Sequence, residues 1–386
     1  MKIIHVHNNH RYGGGSDVVA AQTAGLMRKA GHDVEEFVRD SGDLERSGKY
    51  GKIKAFISGI YNPGTIRSFE ELLKSHQPDV VHAHEIYPMI TPWIYPLCRK
   101  HGVTTVMTCH DYRITCPVYT HYRHGRICRS CIDRGSWSCF RYNCRDNIAE
   151  SAAFAIHHAV GRKFRLFRSV DMFLTPSRFT QKWLVDNAEL DKDRVRAVGN
   201  PIFPHDVDPK PYVPEEREYV AYGGRFAPEK GIDILLRATA IAGIPVKLAG
   251  HSRGYEKNNY GAQAEFVGPL NPAEMSDFYD GARFLVVPST WFETFGLVVI
   301  EAMTRGVPVI CSDIGALREL IEPEENGLLC EPGNVDEFAA GIKRLWDNPE
   351  ECVRMSGKCR RSAAEYSPEK YRNNVLDAYG YALQSR

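Results

Sequence analysis

Short apolar segments alternate with helix-forming segments along nearly the whole chain, and this alternation limits the fold more than any other feature. Apolar runs of about four to eight residues between turn residues are typical of strands buried on both faces. Because parallel strands need long crossovers, strands separated by helices predict an α/β protein with doubly wound parallel sheets. We predict strands at 3–7, 34–38, 79–84, 103–109, 170–174 and 195–198, and again near 218–222, 245–249, 263–267, 283–287 and 307–310.

A proline-rich stretch divides the predicted strands into two sets. It runs from Gly199 to Pro214, so we predict an N-terminal domain at 1–200 and a C-terminal domain at 201–366. With 386 residues the chain is long enough for two domains of ordinary size. In doubly wound parallel sheets, ligands bind outside the carboxyl ends of the strands.

The composition excludes several functional classes. The formal net charge is +1, which does not indicate nucleic acid as a partner. The apolar run at the N-terminus is too short for a secretory signal, and no apolar run is long enough to predict a membrane-spanning helix. We therefore expect a cytoplasmic protein.

Two glutamates frame the start of a predicted helix after the strand near 283–287. Glu293 precedes this helix and Glu301 lies about two turns inside it, so both can face one crevice. The N-terminus of a helix has unpaired N–H groups and a partial positive charge, which suit a phosphate or a polar sugar. Carboxylates at that position can hold sugar hydroxyl groups. The alternative is a pair of solvated glutamates, which are common on helices.

Two glycine-containing loops also follow predicted strands. The loop Gly223–Gly231 contains Arg225 and Lys230, a forked donor and a point charge that together suit a diphosphate. A solvated basic pair is the alternative. The loop Gly13–Gly15 follows the first strand, as in dinucleotide enzymes, but the G-x-G-x-x-G spacing is absent. A plain turn is the alternative for this loop.

Taken in order, three motifs resemble those of the retaining glycosyltransferases of family four. They are Tyr12–Ser16, Gly223–Gly231, and the two glutamates Glu293 and Glu301 with seven residues between them. The resemblance covers nearly the whole chain. It implies a GT-B fold, in which two Rossmann-like domains flank an interdomain cleft. It also implies that the amphipathic segment 367–386 is a helix that crosses back to the N-terminal domain.

The resemblance also implies roles for individual residues in binding the donor. Arg225 and Lys230 match the residues that hold the pyrophosphate and neutralise the charge that develops as the sugar–phosphate bond breaks. Glu301 matches the residue that holds the ribose hydroxyls, and Glu293 the one near the transferred sugar. Further donor contacts are implied for Gly14, Gly15, Phe295, Gly296 and Leu297.

A histidine ends one of the predicted strands of the N-terminal domain. His110 matches the family residue that touches the donor sugar, which implies a catalytic role beside Glu293; a structural histidine is the alternative. Asp111 is a candidate for contact with the acceptor. The resemblance implies a front-face displacement in which the leaving phosphate accepts the proton of the acceptor.

Two Asp-x-Asp doublets have the spacing that metal-dependent transferases of another fold use. One, at 191–193, is on a polar turn, and the other, at 206–208, is in the proline-rich stretch. Because neither follows a buried strand, we expect catalysis without a metal or another cofactor. The expected donor is a sugar linked to a nucleoside diphosphate of the UDP or GDP type.

Residues 113–147 break the α/β pattern and form a predicted cysteine-rich insert. The insert contains Cys128, Cys131, Cys139 and Cys144, which can supply four thiolates to a structural zinc ion. The alternatives are buried free thiols, a disulfide or an iron–sulfur cluster. The insert has few aliphatic residues, so a metal would offset the entropy of ordering it.

Basic and aromatic side chains are interleaved in this insert and in the helix predicted after it. Such a mixture suits an anionic membrane surface or a lipid-linked pyrophosphate acceptor; a solvated basic face is the alternative. The residues are Arg123, Arg126, Arg129, Arg134, Trp137, Phe140, Arg141, Tyr142, Arg145, Arg162, Lys163, Arg165 and Arg168.

These patterns predict a retaining hexosyltransferase that moves a sugar from a nucleotide-diphosphate sugar to a glycan or a lipid-linked acceptor. The expected setting is bacterial polysaccharide or glycolipid synthesis, in the cytoplasm at the inner face of the membrane. Two alternatives stay open at this point. One is a sugar-nucleotide epimerase of GT-B fold, and the other is a protein that binds nucleotide sugars without catalysis.

Overall fold

The computed structural model describes residues 1–9, 14–41, 56–203, 210–251 and 263–385. They form two compact units. The first unit comprises 1–121, 128–201 and 369–386, and the second comprises 122–127 and 202–368. Gly13 of the predicted glycine loop and the Asp-x-Asp doublet at 206–208 lie outside the described residues.

Each unit is built around one sheet of six parallel strands, which confirms the predicted fold class. Numbered along the chain, the strands are β1 (Lys2–Asn9), β2 (Asp33–Asp40), β3 (Val80–Ala83), β4 (Thr104–Thr108), β5 (Tyr122–Arg123), β6 (Arg126–Ile127), β7 (Met172–Thr175), β8 (Val195–Ala197), β9 (Tyr219–Gly223), β10 (Val246–Ala249), β11 (Ala264–Gly268), β12 (Ala282–Val287), β13 (Val309–Ser312) and β14 (Gly327–Cys330).

Helices supply the crossovers between the parallel strands. They are α1 (Gly15–Lys29), α2 (Pro63–His76), α3 (Ile94–Lys100), α4 (Ser130–Asp133), α5 (Trp137–Arg141), α6 (Ile148–Lys163), α7 (Arg178–Asn187), α8 (Ile232–Ala242), α9 (Pro272–Asp280), α10 (Leu297–Thr304), α11 (Leu317–Leu320), α12 (Val335–Asp347), α13 (Pro349–Ala363) and α14 (Pro368–Gln384). Among the described helices, none combines the length and hydropathy needed to cross a bilayer.

Side chains at the helix starts explain where several of these helices begin. Asn62, Asn147, Ser177 and Asn334 each accept a hydrogen bond from a backbone N–H in the first turn of the helix that follows. Asn271 and Glu274 form a complete capping box at the start of α9. These caps satisfy N–H groups that the helix itself leaves unpaired.

The order of strands reverses once in each sheet. The first sheet has the order β2-β1-β3-β4-β7-β8, and the second has the order β11-β10-β9-β12-β13-β14. In the first sheet the chain adds β2 on one side of β1 and then β3 on the other. In the second sheet it adds β10 on one side of β9 and later β12 on the other. Such a reversal opens a crevice at the carboxyl ends of the two strands beside it. The topology thus indicates binding crevices beyond β1 and β3 and beyond β9 and β12.

The second sheet is buried between two apolar layers. One layer includes Leu285, Val299 and Met303, and the other includes Val286, Leu235 and Phe338, all fully buried. Neighbouring residues of β12 point to opposite faces of the sheet, so the apolar run 284–287 of this strand is buried on both sides.

Helix α14 packs within the first unit. The hydroxyl of Tyr371 hydrogen-bonds the Thr23 hydroxyl at 2.8 Å, and the hydroxyl of Tyr379 hydrogen-bonds Nδ1 of His82 at 2.7 Å. Both tyrosines are almost completely buried. The last helix therefore covers residues of α1 and β3, far from it in the sequence.

The cysteine-rich insert has its own short elements. The hairpin β5–β6 groups with the second unit, where the Thr290 hydroxyl donates to the Tyr122 hydroxyl at 3.0 Å. Helices α4 and α5 belong to the first unit, and Ser138 of α5 donates to the carbonyl of Ser130 at 3.0 Å. Hydrogen bonds thus help to hold both parts of the insert in place.

Several predicted elements differ in extent from the observed ones. The sequence predicts a helix from Pro88 to about Lys100, whereas the observed helix is shorter and begins at Ile94. It also predicts a helix from about Ile148 to Arg168 after the insert. The observed helix ends at Lys163, because Arg165 adopts a left-handed conformation with a φ of 51° and a 3-10 turn follows. The sequence prediction lacked α2 and β14, the second of which is only four residues long.

Gly231 is a position at which the fold requires glycine. Its φ is +70°, and an added Cβ would overlap the carbonyl oxygen of Pro288. Gly243 has a nearly equal φ of +72°, but nothing lies within 4 Å of its Cβ position. We predict that Gly231→Ala lowers the free energy of unfolding by about 3 kcal/mol or more, and Gly243→Ala by about 1–2 kcal/mol. Equal losses in urea unfolding of the two variants would contradict the overlap with Pro288.

Candidate active site

The turn after β9 carries the predicted cationic pair. Arg225 follows Gly224, whose φ of +143° favours glycine, and a 3-10 turn at Pro228–Lys230 follows. The guanidinium of Arg225 lies 3.5 Å from a carboxylate oxygen of Glu229, and its side chain is 50% exposed. A half-exposed guanidinium at a strand end can contact an anionic ligand without the cost of full burial.

Lys230 and Glu293 form the ion pair at the centre of this site. Lys230 Nζ donates to Glu293 Oε1 at 2.7 Å, and Ser289 Oγ donates to the same oxygen at 2.6 Å. Burial alone would raise the pKa of Glu293, but the charge and hydrogen bond of Lys230, helped by Ser289, hold this pKa below its ordinary value. The carboxylate is therefore ionised at neutral pH.

The loops after β9 and β12 are joined by further contacts. The N–H of Thr290 donates to the carbonyl of Glu229 at 2.9 Å, and Lys230 Nζ lies 4.9 Å from the centre of the Trp291 ring. The two strands are neighbours in the parallel sheet. The structure therefore brings residues that are 63 positions apart in sequence to the same strand-end crevice.

Helix α10 begins beside this crevice. Gly296 precedes it with a φ of +121°, and Phe295 is buried against the ring of Tyr366. The backbone carbonyl of Glu293 accepts a hydrogen bond from the N–H of Ala316 at 3.0 Å. The first N–H groups of α10 have no partners within the helix, so this end offers donors to an anionic or polar ligand.

Glu301 lies inside α10 and is buried. The hydroxyl of Tyr279 donates to its carboxylate at 3.3 Å, yet burial raises the pKa of Glu301 above its ordinary value. The same Tyr279 hydroxyl would be 3.1 Å from a Cβ at Gly223, the last residue of β9. Glu301 is therefore close to the strand that leads to Arg225.

In the first unit, Gly14 and Gly15 form the N-terminus of α1. Gly14 precedes the helix in an extended conformation, and its carbonyl accepts hydrogen bonds from the N–H groups of Asp17 and Val18. Asp17 in turn accepts a hydrogen bond from His7 Nε2 at 2.6 Å, because Nδ1 of His7 accepts from the N–H of Glu85. The first turn of α1 thus contacts the carboxyl half of β1 through Asp17 and His7.

His110 follows β4, and its ring contacts a second histidine. His110 Nε2 and His84 Nδ1 are 2.9 Å apart, and the two rings stack with their centres 5.2 Å apart. Burial is the main cause that lowers the pKa of His110 to about 3, and the nearby His7 lowers it further. His110 is therefore neutral at physiological pH.

The unpartnered atom of His84 determines which histidine donates. Within the described part of the chain, His84 Nε2 is buried and has no hydrogen-bond partner. A buried N–H without an acceptor is rare, so Nε2 is the bare nitrogen and Nδ1–H of His84 donates to His110 Nε2. The remaining proton of His110 is then on Nδ1, which makes that atom a donor.

Further histidines lie beneath this pair and were not identified from the sequence as a cluster. Ligand atoms of His5, His82 and His84 lie within 4.8 Å of one another. Alternate residues of a strand share a face, so the H-x-H patterns of β1 and β3 could have revealed the cluster. His82 hydrogen-bonds Tyr379 and Thr108 through its two ring nitrogens, so an ion would have to displace one of these bonds.

Asp111 is engaged by a neighbouring arginine. Arg113 Nε donates to Asp111 Oδ1 at 2.8 Å, and the guanidinium also pairs with the buried Glu85. Burial, opposed by the charge of Arg113, raises the pKa of Glu85 to about 8. The loop after β4 is therefore held by a shared guanidinium next to His110.

No disulfide joins the four cysteines of the insert among the described residues, and a hydrogen bond with Cys144 raises the pKa of Cys139. No three of their sulfur atoms appear among the described groups whose ligand atoms lie within 4.8 Å of one another. The Cys128 thiol donates to the hydroxyl of Ser130 at 3.5 Å, and the Cys139 thiol donates to the carbonyl of Ser151 at 3.6 Å. The zinc site at Cys128, Cys131, Cys139 and Cys144 therefore stays a prediction without support from this geometry.

The ion pair at the centre of the site makes stability depend on pH. We predict that Lys230→Met costs about 2–3 kcal/mol at about pH 7.5, because it leaves a nearly buried carboxylate unpaired. The lowered pKa of Glu293 stabilises the parent protein above the ordinary carboxyl pKa. In the variant, burial raises that pKa, so the loss of stability becomes smaller as the pH falls to about 5.

Urea unfolding at the two pH values measures this difference. As a control, adding Glu293→Gln to Lys230→Met removes the unpaired charge and should restore part of the stability at about pH 7.5. A difference between parent and variant that does not change with pH would contradict the assignment.

Comparison with known proteins identifies the family. Residues 13–205 match the family described as Glycosyltransferase Family 4, and residues 206–362 match the family described as Glycosyl transferases group 1. A D-inositol 3-phosphate glycosyltransferase of Rhodococcus erythropolis is 30% identical over 179 residues, which are 42% of this chain and 40% of that protein. An uncharacterised glycosyltransferase of Methanocaldococcus jannaschii is 32% identical over 162 residues, 40% of this chain and 46% of that protein. The matches thus span less than half of these curated relatives.

Solved structures share the fold over the full length. Sucrose-phosphate synthase of Thermosynechococcus elongatus has a TM-score of 0.70 at 19% identity and covers 100% of both chains. HepE of Anabaena in complex with UDP-glucose has a TM-score of 0.65 at 16% identity, over 98% of this chain and 99% of that one. From its family matches and its two parallel-sheet units, the chain belongs to glycosyltransferase family 4 and has the GT-B fold.

Proposed function

We propose that this protein transfers a sugar from a nucleotide-diphosphate sugar to a glycan or lipid-linked acceptor, with retention of configuration at the sugar carbon. The observation that carries the proposal is the Lys230–Glu293 pair, 2.7 Å apart beside the start of α10 and near Arg225. It combines cationic donors for a diphosphate with a carboxylate for a sugar hydroxyl. The similar HepE structure holds UDP-glucose, which supports a donor of this class.

The diphosphate of the donor has three sources of stabilisation in this proposal. Arg225 and Lys230 supply positive charge, and the first N–H groups of α10, near Phe295, Gly296 and Leu297, supply hydrogen bonds. The N–H groups at Gly14 and Gly15 form a further donor set at the start of α1. Within each unit the fold holds its own donors in place, as stabilisation of the charge that develops on the leaving diphosphate requires.

Glu301 and Glu293 have different roles in this proposal. Glu301 accepts hydrogen bonds from the ribose hydroxyls, and Tyr279 orients its carboxylate. Glu293, ionised through Lys230, accepts a hydrogen bond from a hydroxyl of the transferred sugar. His110 donates a hydrogen bond to the sugar through its protonated Nδ1 and does not act as a base, since its pKa is about 3.

The chemical step follows from these roles. The bond between the sugar carbon and the diphosphate oxygen breaks, and a bond to the acceptor oxygen forms on the same face of the sugar. The departing phosphate oxygen takes the proton of the acceptor hydroxyl. In this proposal neither the neutral His110 nor the ion-paired Glu293 takes this proton. Asp111, which is held by Arg113, contacts the acceptor.

The proposed setting is bacterial polysaccharide or glycolipid assembly at a membrane surface. Exposed Trp137, Phe140 and Phe164 lie on the first unit, as does the basic segment from Arg162 to Arg168. Exposed aromatic side chains beside basic ones suit contact with an anionic membrane. Such contact would bring the enzyme to a lipid-linked acceptor.

Catalysis by cationic side chains rather than by a metal gives a test. We predict that a panel of UDP- and GDP-sugars will reveal transfer that persists when a strong chelator is added briefly to the folded enzyme. Arg225→Ala should lower the rate by about a hundredfold or more, because it removes one preorganised charge contact, and added Mg²⁺ should not restore the rate.

The control for this test is Arg237→Ala, which removes an exposed arginine from α8 and should leave the rate unchanged. An absolute requirement for Mg²⁺ or Mn²⁺, or a rate for Arg225→Ala within threefold of the parent, would overturn the metal-independent mechanism.

The two glutamates should separate binding from turnover. We predict that Glu301→Gln weakens binding of the free nucleoside diphosphate about tenfold, because the ribose loses its charged acceptor. Glu293→Gln should leave this binding within threefold of the parent and lower the turnover of the sugar donor. Calorimetry with UDP and GDP, together with initial rates, distinguishes the two effects. The reverse order of effects would disprove the assignment.

A further inference from the structure

An apolar cavity lies within the first unit, apart from the residues assigned to the donor. Its volume is about 360 Å³, which is within the range of small-molecule sites, roughly 300–1,000 Å³. Its walls include Phe56, Tyr87, Pro117, Phe154 and Phe167. An apolar space of this size is larger than the voids that close packing leaves inside proteins. The cavity is therefore a candidate binding site for an apolar ligand.

One face of α6 forms a wall of this cavity. Glu150, Ala153, Phe154, His157 and His158 all line it, and residues three, four, seven and eight positions apart share one face of a helix. Ala153 and Phe154 are only half-buried. The helix thus presents this face to a cavity that its side chains leave open.

Several polar residues of the wall direct their hydrogen bonds toward the protein. His157 Nε2 bonds the carbonyl of Phe56 at 2.8 Å. His158 bonds the Ser136 hydroxyl at 2.7 Å and the carbonyl of Ile114 at 3.1 Å. Arg113 is shared by Asp111 and Glu85. These groups therefore offer the cavity mainly the carbon surfaces of their side chains, which favour a hydrocarbon over a polar ligand.

A second cavity shares the wall residue Phe167 with the first, and several of its wall residues are charged. Its volume is about 260 Å³, and three arginines line it, Arg162, Arg165 and Arg168. Arg168 pairs with Glu189 at 3.3 Å, and Arg162 donates to the carbonyl of Cys131 at 3.4 Å. Among the residues that the structure describes, these three guanidinium groups have one carboxylate partner, Glu189. The resulting excess of positive charge suits an anionic group such as a phosphate.

The apolar cavity is also connected to the proposed reaction centre through the loop after β4. Arg113 lines the cavity, and its guanidinium binds the carboxylate of Asp111, next to His110 in the chain. A ligand in this cavity would therefore lie beside the residues proposed to meet the acceptor.

We propose that this cavity binds the hydrocarbon chain of an anionic lipid acceptor, with the arginine-lined cavity beside it receiving the phosphate. The inference rests on the proposed function, because it specifies the acceptor of the same transfer. A fatty chain and an isoprenoid chain share the chemistry that the cavity recognises.

Binding of alkyl phosphates, measured by calorimetry below their micelle concentrations, tests the proposal without donor or turnover. Octyl, decyl and dodecyl phosphate are compared on the full chain, with farnesyl phosphate as the isoprenoid arm and inorganic phosphate as the headgroup alone. We expect affinity to rise about tenfold for every two methylenes that enter the cavity. The heat capacity change on binding should be negative, which is the mark of apolar burial.

Matched variants on α6 locate the site. Ala153→Leu fills the cavity and should weaken binding of dodecyl phosphate at least tenfold, whereas Ala152→Leu, the same change one residue away and outside the cavity, should not. Ala153→Val is a smaller change in case the leucine variant fails to fold, and thermal unfolding verifies each protein. Arg165→Ala should weaken dodecyl phosphate but leave its neutral analogue dodecyl maltoside unaffected.

Two outcomes would overturn the proposal. One is an affinity that does not depend on chain length, and the other is equal binding by Ala153→Leu and Ala152→Leu. Binding of UDP and GDP is measured on the same samples. If the alkyl phosphates fail to bind while the nucleotides bind, the acceptor inference fails and the proposed transferase stands. If the nucleotides fail to bind, the transferase proposal itself fails.

Discussion

The close approach of two loops in the second unit is the constraint on which the candidate donor site depends. The loop after β9 and the loop after β12 touch where Gly231 faces the carbonyl of Pro288, and a side chain at Gly231 would separate them. This approach lets Lys230 reach Glu293 and keeps the carboxylate ionised despite its burial. The same few contacts therefore stabilise the fold and set the charge of the site.

In the first unit the candidate residue is kept neutral, whereas Glu293 in the second unit is kept ionised. His110 of the first unit is held neutral by dense packing and by hydrogen bonding to His84. Because the histidines beneath it are also buried, burial and their mutual repulsion lower the pKa values of His82 and His84 well below the ordinary range. A neutral cluster of this kind supplies orientation and hydrogen bonds without adding charge near a phosphate. Tyr379 of α14 hydrogen-bonds His82 of this cluster, so the last helix helps to hold the histidines that lie beneath His110.

The insert and α6 show how a departure from a regular α/β pattern creates new surface. Residues of the insert, such as Pro117 and Tyr119, line the apolar cavity together with α6. A regular crossover would instead have packed the helix directly against the sheet. The cavity thus lies where the insert, which has few aliphatic residues, meets α6.

The sequence by itself determined the alternating elements, the doubly wound sheets and the strand ends at which Arg225, Lys230, Glu293 and His110 lie. These follow from local patterns, since periodicity and glycine positions act over a few residues. Tertiary structure alone decided which of these residues meet. Lys230 and Glu293 are 63 positions apart, and neither position indicates the ion pair that sets the pKa of the carboxylate. The apolar cavity and the meeting of His5 with His82 and His84 likewise depend on packing between distant segments, since an H-x-H pattern alone indicates only that the two histidines share a face of a strand.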